Sequence, residues 1–312
     1  MSDQSYSRET KLGALSAAAA YTLWGVFPLF FKLLGDVSVY VVIAHRVVWS
    51  AVFVALFLYL MKRLGEIAPV LKSRRSLLLL IGSTATITVN WTVFVWAIDN
   101  NQVLSVSFGY FMNPLVNIAI GMILLGERQN KLQTIAIAIA AIAVGIQAYG
   151  VGGFPWVSIV LATSFAFYGY FRKTVEVGAA PGLLIETTIL VPFAIAFLFW
   201  MGPTTPVPSA DASWGLWALL FMCGPATAIP LILFSIGARR LRMTTIGIFQ
   251  YIAPSIQFII AITLLGEELN QTRLLSFALI WVSLFIFTYD SVATSSQKSK
   301  VVKNAKGTSA EA

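Results

Sequence analysis

Ten apolar stretches joined by short polar breaks leave this chain almost no way to fold in water. They cover residues 12–34, 41–61, 76–98, 103–125, 132–150, 154–171, 181–201, 213–237, 243–265 and 272–290. Each approaches the roughly 20 mainly apolar residues that a helix needs to cross a bilayer. Inside a bilayer every backbone N–H and C=O must find its partner within the protein, so such stretches become helices. Composition agrees. Hydrophobic residues make up 58% of the chain and charged ones 11%, against about a quarter charged in a soluble domain. The first stretch exceeds the apolar core of a cleavable signal, so it reads as a span. The expected class is an all-α polytopic membrane protein with ten transmembrane helices.

Charge then sets the orientation. Odd spans leave the starting side and even spans return to it. Of the 21 lysines and arginines, all but Lys32, Arg46 and Arg273 fall on the side where the chain starts. The excess of basic residues in cytoplasmic loops therefore predicts that both termini are cytoplasmic, in a plasma or bacterial inner membrane. The net charge of +8 is thus spent on topology, and no nucleic-acid partner is expected. Residues 1–11 read as a cytoplasmic N-terminus. Residues 291–312 read as a disordered cytoplasmic tail whose lysines can rest on anionic lipid. Cys223 is the single cysteine, which excludes a disulfide or a cysteine-based metal site.

The chain also repeats itself. Asn113-Pro114 through Leu124-Leu125-Gly126-Glu127 and Asn130 returns, 140 positions later, as Ala253-Pro254 through Leu264-Leu265-Gly266-Glu267 and Asn270. Five spans per copy is an odd number, so the copies run in opposite senses. The expected organisation is two inverted five-helix repeats, residues 12–150 and 151–290. Such repeats are the architecture of transporters that expose a central site to each side in turn.

A family resemblance rests on specific residues. They are Tyr21-x-x-Trp24-Gly25-x-x-Pro28, His45-Arg46-x-x-Trp49-Ser50, Asn90-Trp91 with Trp96-Ala97, and Ser107-Phe108-Gly109-Tyr110-x-x-Asn113-Pro114-Leu115. Leu125-Gly126-Glu127-Arg128 and Tyr168-Gly169 with Arg172-Lys173 continue it. Over about residues 12–290 the chain resembles the RarD-type permeases of the EamA family, in the drug/metabolite transporter superfamily. The resemblance implies a ten-helix permease with two EamA-type halves. It implies little about the cargo, because substrates across the superfamily are diverse.

Charges inside spans need a reason, since each costs about 2.5–3.5 kcal/mol at the bilayer centre on insertion scales. His45, Arg46 and Glu186 are the candidate coupling or gate residues. His45 and Glu186 lie 141 positions apart, as do Lys32 and Lys173. One reading puts these groups at opposite gates, with His45 or Glu186 carrying a coupling proton. The other has them snorkel to headgroups or satisfy nearby carbonyls. Tyr110, Asn113 and Asn117 share one helix face, matched after the repeat by Gln250, Ala253 and Gln257. Asn90 and Trp91, with Phe94, add an amide and aromatic surface. Asn90, Trp91, Tyr110, Asn113, Asn117, Gln250 and Gln257 are the candidate substrate-binding residues; helix-to-helix hydrogen bonding is the competing role. Pro114 and Pro254 each free a carbonyl one turn earlier and are expected to kink their helices. Trp96, Trp156, Trp200 and Trp214 read as interface anchors.

The expected function is secondary transport, in the export direction, of a small organic metabolite or drug-like compound by alternating access. Proton coupling is left open. No P-loop is present for direct ATP drive. An intramembrane enzyme is the main alternative, but one histidine excludes a two-histidine metal site and no catalytic constellation is visible. A channel or sensory protein is the third. No enzyme activity, cofactor or metal is expected. The partners are a small-molecule substrate and the lipid bilayer, with the oligomeric state open.

Overall fold

The computed structural model describes residues 3–35, 37–100, 102–148, 155–201, 214–264 and 271–308, and its regular elements are helices. They are α1 (Asp3–Lys32), α2 (Val39–Leu60), α3 (Ile67–Lys72), α4 (Arg74–Asp99), α5 (Val103–Leu124) and α6 (Lys131–Ala148). Then come α7 (Trp156–Thr174), α8 (Ala179–Met201), α9 (Trp214–Arg240), α10 (Met243–Gln250), α11 (Ile252–Thr263) and α12 (Gln271–Thr308). Among the described residues, eight helical stretches are long and apolar enough to cross a membrane: parts or all of α1, α2, α4, α5, α6, α8, α9 and the joined α10–α11. The apolar part of α12, Leu274–Asp290, is shorter. The α7 helix carries Arg172 and Lys173 in its last turn and is not among the eight.

Several boundaries differ from the sequence expectation. The α1 helix starts at Asp3 rather than near residue 12, and α12 runs to Thr308 through the tail read as disordered. Extending an existing helix adds one hydrogen bond per residue and avoids the cost of nucleation, so polar residues continue it. The prolines act unequally. Pro114 leaves α5 unbroken, whereas the helix carrying Pro254 breaks at Tyr251 into α10 and α11. The missing N–H of Pro254 would have bonded the carbonyl four residues earlier, next to that break. Leu265-Gly266-Glu267 and Asn270 lie outside the described residues.

Contacts define the two ends of the bundle. At one end Arg240 of α9 reaches Glu9 of α1 at 2.7 Å. There Asn130 and Gln133, at the start of α6, donate to Asp290 at 2.7 and 3.0 Å. Lys173, in the last turn of α7, donates to the carbonyls of Ala238 of α9 (3.2 Å) and of Leu241 just beyond it. This is the basic end. At the opposite end Trp96 packs on Trp156 at 5.0 Å and Ser158 donates to Ser105 O at 2.5 Å. Small residues permit close crossings between these ends. Ala136, Ala140 and Ala143 of α6 are fully buried, and Ser283 of α12 donates to Ala136 O at 2.7 Å. A Cβ on Gly247 would stand 2.6 Å from the carbonyl oxygen of Pro114, so glycine is required where α10 crosses α5.

The repeat has a register in the helices. The starts of α2 and α8, Val39 and Ala179, are 140 residues apart, as are the starts of α5 and α10, Val103 and Met243. Phe111 and Tyr251, also 140 apart, meet directly through a hydrogen bond from the tyrosine hydroxyl to the Phe111 carbonyl (3.3 Å).

The Leu-Leu-Gly-Glu motif of the first copy is a joint. Gly126 adopts φ +64°, the left-handed conformation that ends helices at little steric cost to glycine. The turn brings Glu127 back, its N–H donating to Gly121 O at 2.9 Å. Its carboxylate then accepts from the N–H groups of Met243 (2.6 Å) and Thr244 (3.0 Å) and from the Thr244 hydroxyl (2.7 Å). Glu127 therefore caps α10, where the exposed N–H groups and the helix dipole favour an anion. Replacing Glu127 with Ala should cost about 1–2 kcal/mol, read as a lower unfolding midpoint in detergent, with Glu127→Gln in between. An unchanged midpoint in the alanine variant would exclude the capping role.

Candidate functional site

Toward the basic end, four helices converge on one buried ion pair. Arg172, in the last turn of α7, is wholly buried, and Glu186 on α8 is 2% exposed. The guanidinium Nη1 lies 3.2 Å from Glu186 Oε1. Its Nε donates to the Ser235 hydroxyl of α9 at 3.0 Å, and Nη2 donates to the Ala179 carbonyl at 2.8 Å. The Ser83 hydroxyl of α4 donates to the same carboxylate. Gly182 makes the room, since a Cβ there would collide with the guanidinium. Arg172 follows the apolar stretch 154–171, where the sequence predicts a polar break; its burial inside α7 corrects that. The residue sits where an apolar run ends, so composition could not separate it from its neighbour Lys173.

An aromatic layer lies beside this pair. The Phe234 ring of α9 stands 6.2 and 5.8 Å from Tyr21 and Trp24 of α1, and 5.4 and 5.8 Å from Phe165 and Tyr168 of α7. Tyr21, Tyr168 and Phe234 are all essentially inaccessible. Together the ion pair and the rings pack between α1, α7, α8 and α9.

The other half carries Arg46, seven residues into α2 from the opposite end, about 10 Å along the axis at 1.5 Å per residue. Its Nε donates to the Thr227 hydroxyl of α9 at 2.9 Å. Its guanidinium carbon lies 5.0 Å from the Trp91 ring centre and 5.7 Å from that of Phe31, within cation–π range. On α5 the Tyr110 ring meets Phe94 at 6.3 Å. Tyr110 is 37% exposed and Arg46 is half-buried. Neighbouring His45 is buried, and its Nδ1 accepts from the Trp49 indole N–H at 3.1 Å.

The candidate amides separate into different surroundings. Asn117 donates to Gln250 across the α5–α10 crossing at 2.6 Å, whereas Gln257 donates to the Trp24 carbonyl at 3.2 Å. The structure thus joins Asn117 to Gln250, not to its repeat-equivalent Gln257. Asn90 spends its amide on Leu161 O (2.9 Å) and Ser164 (3.1 Å) of α7, and Asn113 is buried. The side-chain carbonyl oxygens of Asn113 and Asn117 are buried without a partner. Of the seven predicted binding residues, Trp91 lies against Arg46; the amides of Asn90, Asn117, Gln250 and Gln257 bond to neighbouring helices.

Comparison with known proteins places this geometry. The EamA-like transporter family matches residues 11–148. An uncharacterized transporter of Vibrio cholerae is 42% identical over 91% of this chain and 94% of its own length. Protein RarD of Escherichia coli K12 is 38% identical over 94% of this chain and 99% of its own. A protein of known crystal structure shares the fold at a TM-score of 0.68 and 16% identity, over 88% of this chain and 96% of that one.

The buried pair makes a stability prediction. A lone buried charge is costly, so Glu186→Ala and Arg172→Ala should each destabilise the protein by about 3–5 kcal/mol. The double variant Arg172→Met with Glu186→Leu should recover most of that loss. Thermal unfolding in detergent measures this, and a double variant worse than both single variants would contradict the pairing.

Proposed function

The chain belongs to the EamA-like transporter family as a RarD-type permease, and from that premise we propose a secondary active carrier. It moves a small organic metabolite by alternating access, in the direction of export. Ten spans form two inverted five-helix repeats, with both termini cytoplasmic. The 140-residue register of the helix starts and the Phe111–Tyr251 contact support the repeat. The concentration of lysine and arginine at one end supports the orientation.

The observation that carries this proposal is the unequal state of the two halves. The Arg172–Glu186 pair and the aromatic layer are buried in the basic half, and we read the partial exposure of Arg46 and Tyr110 in the other half as its opening. Two inverted halves of similar energy can exchange these states by rocking, which carries a bound solute across. Of the two titratable candidates, Glu186 is the one tied to a closed end. Protonating its carboxylate would remove the attraction that holds Arg172, leaving the hydrogen bonds to Ser83 on α4 and Ser235 on α9. We therefore assign proton coupling to Glu186 and a structural role to His45.

Everted membrane vesicles offered a labelled metabolite mixture test the proposal. Vesicles containing the protein should accumulate at least one compound chemically unchanged, and a protonophore should abolish the accumulation. Glu186→Gln should retain exchange of that compound while losing pH-driven accumulation. A chemically altered product, or accumulation equal to that in vesicles lacking the protein, would overturn the carrier assignment.

A further inference from the structure

The 140-residue register pairs Arg46 with Glu186, because α2 and α8 start at Val39 and Ala179. Each lies seven residues into its helix, one from each end of the bundle. In the second half this carboxylate meets the Arg172 guanidinium at 3.2 Å. In the first half the matching position is itself a guanidinium. The ion pairs among the described residues are Arg63–Glu66, Arg172–Glu186, Arg240–Glu9 and Arg242–Glu127. None involves Arg46, so its guanidinium has no carboxylate partner among them.

The rest of its surroundings point to what would supply one. Thr227 occupies Nε, which sets the plane of the guanidinium and leaves the paired Nη groups to make a two-pronged contact. That fork matches a carboxylate. Trp91 and Phe31 present ring faces to the same cation, and Phe94 extends the apolar surface toward Tyr110. One monocation with one available edge suits a single negative charge, and the rings suit a flat apolar body. Guanidinium groups stay charged in proteins, so the preference does not depend on pH near neutrality.

We infer that Arg46 is the substrate's anion-binding group, taking the carboxylate of an organic acid whose flat apolar body lies against Trp91, Phe31 and Phe94. This rests on the carrier function proposed above and names its substrate class.

Binding of three probes of one shape separates the possibilities: hydrocinnamate, its neutral amide and the cation phenethylamine. Equilibrium binding to purified protein in lipid nanodiscs should favour hydrocinnamate over the other two by at least about tenfold, or about 1.4 kcal/mol. Arg46→Lys should weaken hydrocinnamate binding by about tenfold, and Arg46→Gln should abolish it. Thr227→Val keeps the charge but releases the fork, and should weaken binding less. Size-exclusion profiles of the variants report whether they remain folded. Should Arg46→Gln not fold, the lysine and Thr227 variants still decide. Equal binding of amide and acid, or unchanged binding in Arg46→Lys and Thr227→Val, would overturn the assignment. So would failure of hydrocinnamate to bind at all. Counterflow of whichever probe binds scores the carrier function separately: a neutral or cationic probe that exchanges would end the anion assignment and leave the carrier intact.

Discussion

Toward the basic end, four helices meet on one ion pair that water does not reach. Burying Arg172 and Glu186 costs each its hydration, and the mutual attraction repays that only when the remaining donors and acceptors are also satisfied. Ser235, Ala179 and Ser83 do this. Because those partners come from α4, α8 and α9 while the arginine comes from α7, the pair can persist only if four helices keep their places. Conversely, losing it removes one tie common to all four. A contact of that kind contributes less to stability than to the choice between two arrangements, which is what a gate requires.

Helices α2 and α8 start 140 residues apart and differ in chemistry. Glu186 on α8 meets the Arg172 guanidinium, whereas Arg46 on α2 has no carboxylate partner among the ion pairs of the described residues. Glu127 joins the halves, since the residue ending α5 caps α10. The crossing of Gly247 on Pro114, with the Asn117–Gln250 bond beside it, sits on the same pair of helices. In the proposed carrier this α5–α10 crossing serves as the pivot.

Much of this was legible in the sequence, because a bilayer punishes irregular backbone so heavily that apolar length reveals the helices. The 140-residue offset and the intramembrane charges at Arg46 and Glu186 could also be read directly. The partnerships could not. Arg172 looked like a loop cation because its neighbour Lys173 is one in composition, and only the packing of α7 against α8 and α9 buries it. An offset of 141 matched His45 to Glu186 by residue type; the helix starts move that match to Arg46. Asn117 and Gln257 are equivalent positions of the sequence repeat, yet the α5–α10 crossing brings together non-equivalent ones. The amide that Asn117 meets is Gln250. The break at Tyr251, with Pro114 leaving α5 intact, shows that a proline supplies the option to kink and packing decides whether it is used.

Reciprocal movement of the two ends is the central claim, and distances between spin labels test it directly. One pair, Arg75→Cys with Arg239→Cys, spans the basic end. A second pair, Trp96→Cys with Trp214→Cys, spans the opposite end, each in a Cys223→Ser background. Adding Glu186→Gln should lengthen the first distance and shorten the second. If the basic-end distance stays fixed, or both distances change in the same sense, the Arg172–Glu186 pair is not the gate of an alternating carrier.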